Sequence, residues 1–329
     1  MRMSLNNTDH EVLTAALDWI HQGYRPVLVT VAKTWGSSPR PTGSLMVMRE
    51  DGVHVGSVSG GCIEDDLLAR YRNHELARHF PTVVSYGTHH QETVRFGLPC
   101  GGRLELVIEQ LAQPAALEEL LQRITAGELV LRHVDLNSGM VSQYAAHDSD
   151  EFEYRHGHLK KVFGQDWQLL LIGAGDLSHY VAQIALMLGY RVTVCDPRDD
   201  YRRAWRLQDV ELLHCMPDDA VKTFTAPAMR RLVVTLTHDP KLDDMALMEA
   251  LSCDVFYVGA LGSKKSNDRR RQRLLELELS AQQLARLHAP VGLPIGSHTP
   301  PEIAVSIMAG ITAARHGAAE GLHINASAA

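Results

Sequence analysis

Two cysteines in this chain stand beside glycine pairs: Cys62 in Gly56-Ser-Val-Ser59-Gly60-Gly61-Cys62-Ile-Glu64, and Cys100 in Gly97-Leu-Pro-Cys100-Gly101-Gly102-Arg103. A thiolate is a soft metal ligand. A glycine turn lets backbone N–H groups face an anion or an incoming ligand. Cys62 precedes an amphipathic run with Ile63, Leu67, Leu68 and Tyr71 on one face, so its turn is expected at a helix N-terminus, with unpaired N–H groups pointing outward. Such a position can acidify a thiol, but Glu64, Asp65 and Asp66 in the same turn oppose that. The plain structural alternative is a tight turn followed by a buried small residue. Neither cysteine has the Cys-x-x-Cys spacing of a structural zinc site. His89 and His90 are two of 18 histidines spread along the chain and read as loop residues.

Three further stretches could meet a phosphate. Lys33 to Gly43 is a loop in which Arg40 lies between two prolines; proline and glycine alone explain its composition, and Arg40 with Ser37 and Ser38 could form an anion contact. Gly173-Ala-Gly175-Asp176-Leu-Ser178 follows the apolar run Gln168–Ile172 and precedes a helix over Val181–Leu188; a second strand, Arg191–Cys195, ends at Asp196-Pro-Arg198. That is a strand-turn-helix-strand unit of dinucleotide-binding type, with Asp196 placed for a ribose diol and Ser178 replacing the third glycine. Finally, Gly259-Ala-Leu-Gly262-Ser263-Lys264-Lys265 opens a helix carrying Arg269, Arg270, Arg271 and Arg273. Ser263, Lys264 and Lys265 are expected to face an anion, and the arginines to lie on the solvated surface.

The elements needed to position these groups are legible around them. Residues 8–22 read as a helix, with Thr8 capping and Gly23 ending it. Val27–Val31, Met46–Met48 and Val53–Val55 read as strands, as does the alternating run from Leu104 to Ile108. A helix over Ala115–Ile124 and a hairpin around Asn137-Ser-Gly139 follow. The α/β alternation then continues through strands 231–236 and 255–258, and Thr299-Pro-Pro-Glu302 starts a last helix with a capping box. The fold class is α/β: a C-terminal Rossmann-like parallel sheet with an N-terminal mixed α/β domain. The domains are 1–112, a bridging segment 113–165, the Rossmann-like domain 166–317 and a tail 318–329.

At 329 residues and 45% hydrophobic content there is material for two cores, and a net charge of −7 argues against general nucleic-acid binding. No apolar run is long enough to span a membrane, and the first residues lack the apolar core of a signal peptide. Five scattered cysteines fit a reducing compartment, so a cytoplasmic location is expected.

Together these motifs resemble the XdhC/CoxI family of maturation factors for molybdenum hydroxylases. The matching stretches run in family order: Gly36-Ser-Ser-Pro-Arg40, Ser59-Gly-Gly-Cys-Ile-Glu64, Gly97-Leu-Pro-Cys-Gly-Gly102, Gly173-Ala-Gly175 with Asp196-Pro-Arg198, Gly259-Ala-Leu-Gly-Ser263, and Pro290 through Ile307. The resemblance implies an N-terminal XdhC/CoxI domain joined to a Rossmann-like domain. It implies a chaperone that binds molybdenum cofactor, in its molybdopterin or dinucleotide form, guards it during sulfuration by a cysteine desulfurase, and hands it to an apo molybdenum hydroxylase such as xanthine dehydrogenase, an enzyme of purine catabolism. A homodimer is the expected assembly. By position, Cys62 and Cys100 become candidates for the cofactor's molybdenum or dithiolene end, with its phosphate end in the second domain and the site in the cleft between domains. The chain departs from the family pattern at Asp176, where histidine is common, at Ser178 for glycine, and at Gly310 for glutamate.

Two other readings compete. The Rossmann unit alone suggests an NAD(P)-dependent oxidoreductase with a bound nicotinamide nucleotide, but no Tyr-x-x-x-Lys pair or other hydride-transfer constellation accompanies it. A nucleophilic enzyme using Cys62 would need a base that sequence does not place beside it.

Overall fold

The computed structural model describes residues 8–36, 40–76, 80–87, 103–111, 113–147, 149–164, 167–224 and 230–318, without the side chains of Thr8 and Cys62. The chain divides after Gln165 into two compact units.

The first unit begins with α1 (Thr8–His21) and β1 (Val27–Trp35), followed by β2 (Leu45–Met48), β3 (His54–Gly56), α2 (Cys62–Arg72), β4 (Thr82–Tyr86) and β5 (Arg103–Gln110). The strands form an antiparallel sheet in the order β3-β2-β1-β5-β4. The first six residues of β1 are buried without alternation because both faces of the strand are covered there. Val27, Val29 and Val31 pack with Ile63 and Leu67 of α2, while Leu28 packs with Val12, Leu13 and Ala16 of α1. Residues 113–165, read as a bridging segment, form α3 (Pro114–Thr125) and β6 (Val130–Asp135), β7 (Val141–Ala145), β8 (Glu153–Arg155) and β9 (His158–Phe163) of a second antiparallel sheet, ordered β7-β6-β9-β8. Their core is shared with α1, since Val130 and Phe163 join Leu117, Leu120 and Leu13.

The second unit is doubly wound. Its elements are β10 (Gln168–Ile172), α4 (Asp176–Met187), β11 (Arg191–Cys195), α5 (Asp199–Ala204), β12 (Glu211–Leu213), α6 (Pro217–Thr223), β13 (Arg231–Thr235), α7 (Pro240–Ser252), β14 (Tyr257–Ala260), α8 (Lys264–Glu276), α9 (Ala281–Ala285), β15 (Leu287–His288) and α10 (Pro300–Arg315). All pairings are parallel, in the order β12-β11-β10-β13-β14-β15. Counted from β10 this is 3-2-1-4-5-6, the dinucleotide-binding order, whose direction reverses between β10 and β13. The strand period of two sorts the core: Leu169, Leu171, Val192 and Val234 face Val181, Ala185 and Ile307, whereas Leu170, Ile172, Val233 and Val258 face Ala246, Leu247 and Leu274. The outer strands are short, three residues in β12 and two in β15. β14 starts two residues later than the sequence suggests, and the helix after Gly175 starts at Asp176, a turn earlier.

Candidate functional site

The turn before α2 is closed upon itself. Glu64 is only 3% exposed, and its carboxylate accepts hydrogen bonds from the backbone N–H groups of Val58 (2.8 Å), Ser59 (2.7 Å), Gly60 (3.1 Å) and Gly61 (2.9 Å). Ser57 Oγ donates to it at 2.8 Å and Ser59 Oγ also does so. The positive φ of Gly60 (92°) and Gly61 (145°) is what lets successive N–H groups converge on one carboxylate. Burial would raise the pKa of Glu64, but the bonds from Ser59, Ser57 and the backbone outweigh it and hold the carboxyl well below the usual range. The expectation that these N–H groups face outward to an anion is therefore corrected: Glu64 already supplies the anion. Cys62 is the first residue of α2, its side chain outside the description. Cys100, Gly101 and Gly102 lie outside the described residues, as do Ser37, Ser38, His89 and His90, while Arg40 is exposed.

In the second unit a cleft of about 330 Å³ opens at the C-terminal ends of β10 and β13, where the strand order reverses. It is lined by Gly173, Gly175, Asp176 and Arg198, and also by Tyr201 and His238. Gly173 has φ +107°, and a Cβ there would lie 2.8 Å from Thr237 Cγ2, so the turn after β10 requires glycine. Asp196 is fully buried below the turn, accepting from Ala174 N–H (2.8 Å) and from the Arg198 N–H (3.0 Å), Nε (2.9 Å) and Nη2 (2.8 Å). Burial would raise Asp196, yet Arg198 and the backbone donors hold it below the usual carboxylate range. The carboxylate assigned to a ribose diol is thus occupied from within, and Arg198, stacked 3.8 Å from the Tyr201 ring centroid, is the cationic group of the cleft wall. Cys195, just before it, is buried with its thiol 4.0 Å from that of Cys215; burial and this neighbour push it up to about 12.

The turn after β14 reaches the cleft through Leu261, but Gly262, Ser263, Lys264 and Lys265 are outside its lining. Ser263 caps α8, its Oγ accepting from Ser266 N–H at 3.2 Å, and both lysines are exposed. The arginines read as surface need correction. Arg270 is 6% exposed and pairs with Asp243 at 2.9 Å, donating also to Leu261 O and Asn267. Arg273 pairs with Asp244, and Arg271 donates to Leu284 O and Leu287 O. These arginines tie α8 to its neighbours, and of the four only Arg269 is exposed without such a contact among the described residues. Neither Tyr201 nor His238 belongs to a sequence motif described above. The pointer to His238 is its position just past the fourth strand of the unit, at the reversal of strand order.

The XdhC Rossmann domain family matches residues 169–311, nearly the whole of the doubly wound unit, and the XdhC and CoxI family matches residues 19–87, from α1 through the Glu64 turn to β4. The chain belongs to the XdhC and CoxI family. Among its relatives, the molybdenum cofactor insertion chaperone PaoD of Escherichia coli (strain K12) is 28% identical over 321 residues, spanning 93% of this chain and 89% of its own length. A protein of Bacillus subtilis (strain 168) named as a probable subunit of xanthine dehydrogenase is 26% identical over 347 residues, spanning 93% and 97%. A crystal structure of a xanthine dehydrogenase from Bacillus halodurans shares the fold, with a TM-score of 0.74 at 23% identity and coverage of 97% of this chain and 98% of that one. The departures from the XdhC pattern have physical settings. Ser178 is fully buried, and its hydroxyl has no hydrogen bond among the described residues. Gly310 lets α10 approach Gly292: a Cβ there would lie 3.0 Å from Gly292 Cα. Asp176 stands exposed at the first position of α4, on the cleft wall. No helix among the described residues is long and apolar enough to cross a membrane.

Proposed function

We propose that this chain is a maturation chaperone that carries molybdenum cofactor as cargo and delivers it to an apo molybdenum hydroxylase such as xanthine dehydrogenase. The observation that carries this reading is the likeness to the cofactor insertion chaperone PaoD over nearly the full length of both chains. The chemistry of the sites fits such cargo. Cys62 and Cys100 supply soft ligands for the molybdenum or dithiolene end. Arg198 and the Ser263–Lys265 turn supply cations for a phosphate, and the Tyr201 ring with its stacked guanidinium offers a flat surface to a heterocycle. Glu64 ties together the backbone of the turn that leads into Cys62. In this reading a cysteine desulfurase meets the loaded protein for sulfuration, the working assembly is a homodimer, and all of this takes place in the cytoplasm.

The test is cofactor retention followed by transfer. The chain, purified from cells making molybdenum cofactor, should yield a fluorescent pterin oxidation product and should activate apo xanthine dehydrogenase. Cys62→Ala should fold normally and lose most of the pterin, Cys100→Ala should lose as much or less, and Cys195→Ala should retain it. Unchanged retention in both of the first two variants would remove the thiols from the site. Wild-type protein without pterin and without transfer would remove the function.

A further inference from the structure

The cleft of the second unit has the strand order of a dinucleotide site and the wrong polarity for one. A pyrophosphate in such a fold rests on N–H groups of the glycine turn and the first turn of the following helix. Here the Gly173 N–H is taken by Cys195 O at 2.8 Å and the Ala174 N–H by Asp196 at 2.8 Å. The helix start that remains carries Asp176, an exposed residue of the cleft lining whose carboxylate has no hydrogen bond or ion pair among the described residues. A pyrophosphate seated there would meet a full negative charge within one residue of its donors. The positive group lies elsewhere on the wall: Arg198 uses Nε and Nη2 on Asp196, leaving Nη1 without a hydrogen bond among the described residues.

We propose that Asp176 determines the specificity of this cleft, excluding a pyrophosphate from the glycine turn so that the cleft takes a mononucleotide-like ligand. Its single phosphate lies toward Arg198, and a hydrogen-bond donor such as an exocyclic amine or hydroxyl meets Asp176. This rests on reading the cleft as the phosphate half of the cargo site, and it selects the form of cargo with one phosphate monoester over the dinucleotide form. Asp176 also favours the N-terminal end of α4 electrostatically, so the fold gains by keeping it.

Titration of the full chain with AMP and ADP-ribose, in wild type and Asp176→Asn, decides the matter, because both probes carry close to two negative charges at pH 8 and differ in where they lie. Wild type should prefer AMP. The variant should bind ADP-ribose about tenfold more tightly and AMP less than threefold more tightly, and the ADP-ribose gain should shrink in 0.5 M salt. A melting curve close to that of wild type would show that the fold is kept. Wild-type preference for ADP-ribose, or equal changes for the two probes in the variant, would overturn the proposal while leaving the cleft a nucleotide site. Binding of neither probe to either protein would remove the reading of the cleft itself, and the proposal with it.

Discussion

Glu64 shows how much one side chain can settle. Six donors meet its two oxygens, four of them backbone N–H groups of a glycine turn. An amide in its place presents an NH2 group to some of these donors. Glu64→Gln should therefore lower the unfolding free energy by roughly 3 kcal/mol, read as a shift in urea midpoint at unchanged slope. The pH dependence has a definite sign. The folded carboxyl lies below its ordinary value, so its stabilisation is complete above the unfolded value of about 4.3 and is lost as pH falls below it toward the folded value. Wild type should lose stability progressively below about pH 4.3, and the Gln variant should lose less over that interval. Equal slopes would mean that Glu64 is not the group titrating.

At the scale of elements, α8 combines two roles in adjacent turns. Arg270, Arg271 and Arg273 fasten it to α7 and the β15 region, whereas Lys264 and Lys265 in its first turn are exposed. Replacing both lysines with glutamine should leave the melting temperature unchanged and weaken a phosphate-bearing ligand about tenfold at low salt. Equal affinity in the two proteins would return the lysines to an ordinary solvated surface. The strand-turn-helix order is legible in the sequence because apolar runs, glycine punctuation and capping residues agree locally: β10 and β11 have the bounds the sequence suggests, and Glu302 accepts from Thr299 N–H at 2.9 Å as its capping pattern implies. The partners across the fold are not legible. Arg270 shares a helix face with Asn267 and Leu274, which marks burial, but nothing in that register names Asp243, 27 residues away. Likewise Glu64, three residues after Gly61, reads in the sequence as a charge opposing Cys62 and not as the ligand of its own turn.

For the whole molecule, a Rossmann sheet is a scaffold whose chemistry depends on what its cleft exposes. Here the acid below the glycine turn is sealed by Arg198, and no hydride-transfer pair accompanies it in the sequence. Incubation of the purified chain with NADH or NADPH and candidate carbonyl substrates should give no steady oxidation proportional to protein concentration. Sustained turnover that follows protein concentration would favour the oxidoreductase reading. The margins of the same sheet matter in another way. Its central strands β10, β11 and β13 are five-residue runs rich in leucine and valine, sequences that could recruit a strand from a neighbouring chain if they lay bare at an edge. They are flanked instead by β12 and β15, of three and two residues. So little ladder is left at either margin that an added strand would find few backbone groups to pair with, which is how a short edge blunts templated fibril growth.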